Sequence, residues 1–297
     1  MSISFAELMA DIIARIEAGT PPWRQPWVNS ADPTLPLRSN GEPFTGSNAW
    51  LLAFAGAVRG YTSPYWFTFK QALEIGAPVR KGAKAAPAIL YKQRVVDAGD
   101  AGDGPDGEGE TRIARYMKTY AVFNAADLTD CPEQYLARPK VDPEARAAAR
   151  NAVLDAIPAK IEIGGSRAYY SPLGDFIRLP PPEAFATVDD FLSTKSHELV
   201  HWAGAPHRLN REFGKRFGDE AYAFEELVAD LAACAMGLQL GLRPQLMDSH
   251  AAYLGHWAKV LKTRPNALME ASGHAQRAVD YLLAFSTPAA AATSIAA

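Results

Sequence analysis

The chain has 297 residues, 48% of them hydrophobic and 21% charged. That is enough for one large core or two medium ones, and it excludes both a disulfide-stapled miniprotein and wholesale disorder. The net charge of -3 excludes a uniformly basic coat while leaving room for a local basic patch. Two cysteines without CxxC spacing, Cys131 and Cys234, point to a reduced, cytoplasmic setting, and no run reaches the roughly 18 apolar residues of a membrane span.

In chain order, Phe5, Leu8, Ile12, Ile13 and Ile16 recur at a helical period, predicting an amphipathic helix over 3–18 that ends at Gly19. Residues 21–45 are too rich in Pro, Asn and Gly for a regular element, yet carry Trp23, Trp27 and Phe44. Helices are expected at 47–58 and 68–75. APAILYKQRVVD (86–97) and TRIARYMKTYAVFN (111–124) read as an antiparallel strand pair. Between them, residues 97–110 hold six acids and five glycines, an extended excursion. After a linker, a boundary near 138 is expected, dividing the chain into regions 1–138 and 139–297. KIEIGG, AYYSPLG and DFIRLPP then predict a small antiparallel sheet, followed by helices at 187–203, 220–240, 246–261 and 266–285. The expected class is α+β: an N-terminal α/β domain and a mainly helical domain with a small sheet.

The N-terminal region is locally basic. Positions 59–96 hold seven basic residues, Arg59, Lys70, Arg80, Lys81, Lys84, Lys92 and Arg94, against the single acid Glu74. Tyr61, Tyr65, Trp66, Phe67, Phe69 and Tyr91 are interleaved with them, a composition suited to stacking unpaired bases while cations meet phosphates. The bland alternative is a core of aromatics under a solvated basic face. No duplex-reading framework is visible, so single-stranded DNA is the expected partner.

The strongest chemical signal is HELVH at 197–201. On a helix, His197 and His201 lie four residues apart on one face, so both imidazoles can reach one metal ion while Glu198 sits beside them as a proton shuttle. A third ligand has two sources. Read onward, HELVHWAGAPH offers His207 at a metzincin-like offset. Alternatively, FEELVAD at 224–230 offers Glu226 as ligand and Asp230, one turn later, as acceptor from the second nitrogen of a ligand histidine, with Glu225 a further candidate. Tyr253 and His256 are candidate donors to a tetrahedral oxyanion. Such a site suits Zn(II), with Mn(II) another divalent candidate, and peptide hydrolysis.

WRQPW (23–27), GSN (46–48), SPYWFTFKQALEIGAPVRKGAK (63–84) and VFN (122–124) together resemble the N-terminal single-strand DNA-binding domain of ArdC-type antirestriction proteins, found also in TraC-type primases. SPLGDFIRLP (171–180), HELVHWAG (197–204), HRLNR (207–211) and FEELVAD (224–230) resemble the zincin-like domain joined to it. The resemblance implies metal ligands at His197, His201 and Glu226, and a catalytic base at Glu198. It marks Trp23, Trp27, Tyr65, Trp66, Thr68, Gln71, Lys81 and Lys84 as the matching N-terminal motif, beside the basic candidates Lys70 and Arg80. His207 departs from the small polar residue usual in the family, and Asp230 stands where Glu is common. The implied function is protection of incoming plasmid DNA during conjugation, by coating the single strand or by acting on a host restriction component.

Overall fold

The computed structural model describes residues 5–19, 34–97, 111–136, 150–211, 220–242, 254–264 and 266–286. Trp23, Trp27, Tyr253 and the acidic stretch 98–110 lie outside the described residues, as does the expected boundary near 138.

Helix α1 (Phe5–Glu17) buries Leu8, Ile12 and Ile16 on one stripe, as their spacing requires. Helix α2 (Gly46–Arg59) sinks Trp50, Leu51, Leu52 and Phe54 into the core and stops at Gly60, whose φ of 67° supplies the left-handed turn. Strands β1 (Leu37–Arg38), β2 (Tyr65–Phe67), β3 (Ala86–Asp97) and β4 (Thr111–Asn124) form a sheet of order β1-β2-β4-β3. β3 and β4 pair antiparallel from Ala86 opposite Val122 to Asp97 opposite Thr111, at the bounds the alternation predicts. β3 is an outer strand, and Asn48 of α2 meets it there. The Asn48 side-chain amide donates to the Ile89 carbonyl at 2.8 Å, and the Ile89 N–H donates back to Asn48 Oδ1 at 2.7 Å.

Between β2 and β3, the short helix α3 (Phe69–Glu74) is started by a reciprocal cap. The Thr68 hydroxyl accepts from the Gln71 N–H at 3.2 Å, and Gln71 Oε1 accepts from the Thr68 N–H at 2.9 Å. α3 and the turn after it rest on a small separate core of Phe67, Ala72, Ala77, Ala125 and Leu128. Helix α4 (Glu133–Leu136) closes this region with Tyr135, whose ring meets Phe67 edge-on.

Residues 150–155 are helical, and strands β5 (Lys160–Ile163), β6 (Tyr169–Ser171) and β7 (Phe176–Leu179) follow in the order β5-β7-β6. This small sheet is mixed rather than wholly antiparallel. β6 and β7 form a hairpin, and β5 lies on the far side of β7, where its chain direction runs parallel. Among the described residues, four helices follow: α5 (Val188–Ala203), α6 (Glu220–Leu240), α7 (Leu254–Thr263) and α8 (Ala267–Leu283). α6 is buried almost all round, packed by α5, α7 and α8.

The main core crosses the expected boundary. Trp50, Phe54 and Trp66 belong to the same buried cluster as Leu199, Leu227, Trp257 and Leu268, because α1 packs on α7 and α2 on α8.

Candidate metal centre and nucleic-acid interface

Helix α5 is fixed at its start by Thr187, whose hydroxyl accepts from the Asp190 N–H at 3.1 Å, with Asp189 and Asp190 matching the positive helix end. Its inner face carries His197, Glu198 and His201, each less than one-tenth exposed, onto α6. His197 Nε2 and His201 Nε2 stand 3.1 Å apart. Glu226 of α6 faces both, with Oε2 3.4 Å from His197 Nε2 and Oε1 3.5 Å from His201 Nε2. Four ligands about 2.1 Å from a central ion at tetrahedral angles are separated by about 3.4 Å. The observed edges fit that figure, and neutral imidazole plus carboxylate is the donor set of a hydrolytic divalent site. Among the described residues, His197, His201 and Glu226 are the group of metal-ligating side chains brought together in this way.

His201 is oriented from behind by a residue that sequence reasoning ranked low. Glu225 Oε1 lies 3.2 Å from His201 Nδ1, and Arg211 grips the same carboxylate, Nε to Oε2 at 2.9 Å and Nη2 to Oε1 at 2.7 Å. Arg211 Nη2 also donates to the Val200 carbonyl at 2.6 Å, tying the loop after α5 to the helix itself. Burial acts to raise the Glu225 pKa, but Arg211 and His201 outweigh it and hold the acid below its ordinary range. Asp230, the acid expected behind a ligand histidine, is fully buried one turn beyond Glu226, while the second nitrogen of His201 faces Glu225. The available signal was Arg211 of HRLNR: a buried guanidinium needs a buried carboxylate, and the FEELVAD pair offered two.

Glu198 is buried beside the donors, and desolvation raises its pKa; the two histidines and a backbone hydrogen bond from Tyr170 of β6 act the other way. Burial also works to lower the His201 pKa, but the facing carboxylates Glu226, Glu225 and Glu198 raise it to about 9. His207 lies outside this cluster, exposed, with Nε2 3.3 Å from Asp175 Oδ2. Arg208 pairs with Asp175, stacks 4.0 Å over the Trp202 ring and donates to the Tyr170 hydroxyl at 3.1 Å. These contacts clasp the β6–β7 turn to the end of α5. His256 is half-buried on α7.

In the N-terminal region the candidates separate. Trp66 is 2% exposed, with its ring against Tyr61, so it is a core residue and offers no stacking face; β2 lies inside the sheet and turns it inward. Gln71 is committed to the α3 cap. Tyr65 is half-buried with its ring edge-on to Tyr135. Lys70, Arg80, Lys81 and Lys84 are exposed. Arg59 is turned back onto the protein, donating to the carbonyls of Lys84 and Ala85.

Comparison with known proteins accounts for both regions. A family model for the N-terminal domain of anti-restriction factor ArdC matches residues 4–123, and one for a zincin-like metallopeptidase matches 148–274. The metal-free crystal structure of ArdC from the R388 plasmid matches with a TM-score of 0.77 and 39% identity, covering 95% of this chain and 97% of that one. The Mn(II)-bound structure of the same protein gives 0.75 and 36%, covering 96% and 99%. An uncharacterized protein of Sinorhizobium fredii, y4eC, is 30% identical over 94% of this chain and 91% of its own length. A DNA primase TraC of Escherichia coli is 35% identical over 95% of this chain, which spans only 27% of that primase. With full-length matches in both structure and sequence, the chain belongs to the ArdC antirestriction family.

Proposed function

We propose that this protein binds single-stranded DNA and shields incoming plasmid DNA from host restriction during conjugation, and that it carries a divalent-metal site, for Zn(II) or Mn(II), at His197, His201 and Glu226. One observation carries the reading: a buried donor triad of tetrahedral dimensions stands in the same chain, and on the same core, as an ArdC-type N-terminal region. The R388 relative binds Mn(II), which supports a metal here. We place the protein in the cytoplasm of the recipient cell, in keeping with a sequence that holds only two cysteines and no CxxC spacing; no helix of the described residues is long and apolar enough to cross a membrane.

A second reading, metal-dependent proteolysis of a restriction component or other host protein, is favoured by Glu198. A divalent cation held by the triad supplies Lewis acidity to water and to a peptide carbonyl. Glu198, its pKa raised by burial, accepts the proton of the attacking water and returns it to the leaving amine. Its hydrogen bond from the Tyr170 backbone keeps the carboxylate aimed while the proton moves. The Tyr170 hydroxyl is held in turn by Asp175, to which it donates at 2.8 Å, and by Arg208, which donates to it at 3.1 Å.

The test uses the full-length protein and three variants, with metal content measured after controlled dialysis. Glu226→Gln should lose metal, His207→Ala should keep it, and Glu198→Gln should keep it while any peptide hydrolysis falls by 10²-fold or more. Retention in Glu226→Gln with loss in His207→Ala would reverse the ligand assignment. Conjugative protection that survives Glu198→Gln supports DNA binding as the protective activity; protection lost with full single-strand affinity supports proteolysis.

A further inference from the structure

Among the described aromatic residues of the basic 59–96 segment, Phe69 stands apart. Trp66 and Phe67 are buried, Tyr61 and Tyr65 are half-buried in ring contacts, and Phe69 is 55% exposed. Leu73, one helical turn later, is 52% exposed. Leaving these two side chains half in water forgoes part of the stabilisation that their burial in a core would give. The helix that carries them has no freedom to rotate them inward. Its start is locked by the Thr68–Gln71 cap, its inner face by Ala72 in the small core, and its end by Ala77 N–H to Ala72 carbonyl at 3.0 Å. α3 thus presents an apolar pair outward from a fixed platform.

Cations outnumber acids around that pair. Lys70 lies between the two on the helix, with a side chain 88% exposed and its ammonium 3.6 Å from the Glu74 carboxylate, so the unopposed charge comes from farther along the chain. Six residues beyond the end of α3 begins the exposed turn of Arg80, Lys81 and Lys84, which rests on the same small core through Ile75 and Val79. The Arg80 N–H donates to the Asp127 carbonyl at 2.9 Å and the Thr129 N–H to the Pro78 carbonyl at 2.8 Å, so the turn is held to the platform as well. An apolar, π-bearing strip with exposed cations on a held backbone fits a chain that is anionic along its backbone and apolar on its faces.

We propose that Phe69, flanked by Leu73, is the surface on which an unpaired base stacks, with Arg80, Lys81 and Lys84 meeting the adjacent phosphates. This rests on the single-strand reading above and makes Phe69 the source of its preference over duplex, whose bases are already stacked on one another.

The test is fluorescence anisotropy of the full-length protein with a labelled single strand and the matching duplex across a salt series. Phe69→Ala should weaken single-strand binding about 5–150-fold, leave the slope of log affinity against log salt unchanged, and be rescued by Phe69→Trp. Neutralising Arg80, Lys81 and Lys84 to Gln should instead flatten that slope. Circular dichroism establishes that each variant is folded. Unchanged affinity in Phe69→Ala, with the triple variant still weakened, overturns the stacking role and leaves single-strand binding standing. A wild-type protein with no preference for single strands overturns both.

Discussion

The residue whose loss should tell most about the metal centre is not a ligand. Arg211 and Glu225 are both about 4% exposed, and neither charge has water to fall back on. Removing one partner of such a pair costs about 3–5 kcal/mol, because the other is left charged and buried. Arg211→Met is therefore expected to lower thermal stability sharply and, by releasing Glu225 from its fixed position on His201 Nδ1, to weaken metal retention 10–100-fold. Arg211→Lys restores charge without the two-point grip, so it should recover more stability than metal affinity. Calorimetry with metal titration separates the two effects, and equal recovery of both would show that orientation of His201 does not depend on the fork. The clasp at the β6–β7 turn behaves differently with pH. Hydrogen bonds from Arg208 are the main cause of an Asp175 pKa of about 2, with Tyr170 adding to them. A folded pKa below the ordinary carboxylate value means that the clasp stabilises fully above about pH 4 and that this contribution is lost as pH falls through about 2. Asp175→Asn should be less stable than wild type at neutral pH, and the difference should vanish toward pH 2. A constant difference across the range would assign its cause to packing.

At the scale of elements, what was legible in the sequence depended on whether an element declares itself locally. The long β3–β4 pair and helices α5 and α6 could be read to within a residue or two, because alternation marks the strands and a long run free of Pro, rich in Ala and Leu in α6, marks the helices. β1 and β2 could not. Two and three residues long, set among prolines, they exist because Leu37 and Arg38 find Tyr65 and Trp66 across a parallel bridge, which is a tertiary fact. The direction of β5 was equally hidden, since a short strand carries no mark of which neighbour it will take. The HExxH spacing was readable as chemistry because a helix converts an offset of four into a shared face. Glu226 could be read as the ligand and stands with the two histidines, but the place of Glu225 behind His201 could not be read. Adjacent residues on a helix point about 100° apart, and only the packing of α6 against α5 decides which of them meets the Nε2 atoms of the two histidines and which reaches Nδ1 of His201. Trp66 was misjudged for a related reason: composition shows aromatics among cations but not which side of a three-residue strand faces the core.

For the whole molecule, two sequence regions do not make two independent cores. α1 lies on α7 and α2 on α8, and the buried cluster runs without a break from Trp50 to Trp257. We expect a single calorimetric unfolding transition in which Trp50→Ala, in the N-terminal region, also lowers the temperature at which metal is released from the triad. Two transitions, with metal release unmoved by the substitution, would show that the regions fold separately. The same junction includes the Asn48 amide on Ile89. A sheet ends in a row of unpaired peptide groups, and another extended chain can add itself to that row. Asn48 presents one donor and one acceptor at the spacing of a peptide group, so at this position the sheet already has a counterfeit neighbour, one that cannot be extended. A helix residue thereby closes the open border of β3 at Ile89, the point at which another extended chain would otherwise find a free donor and acceptor.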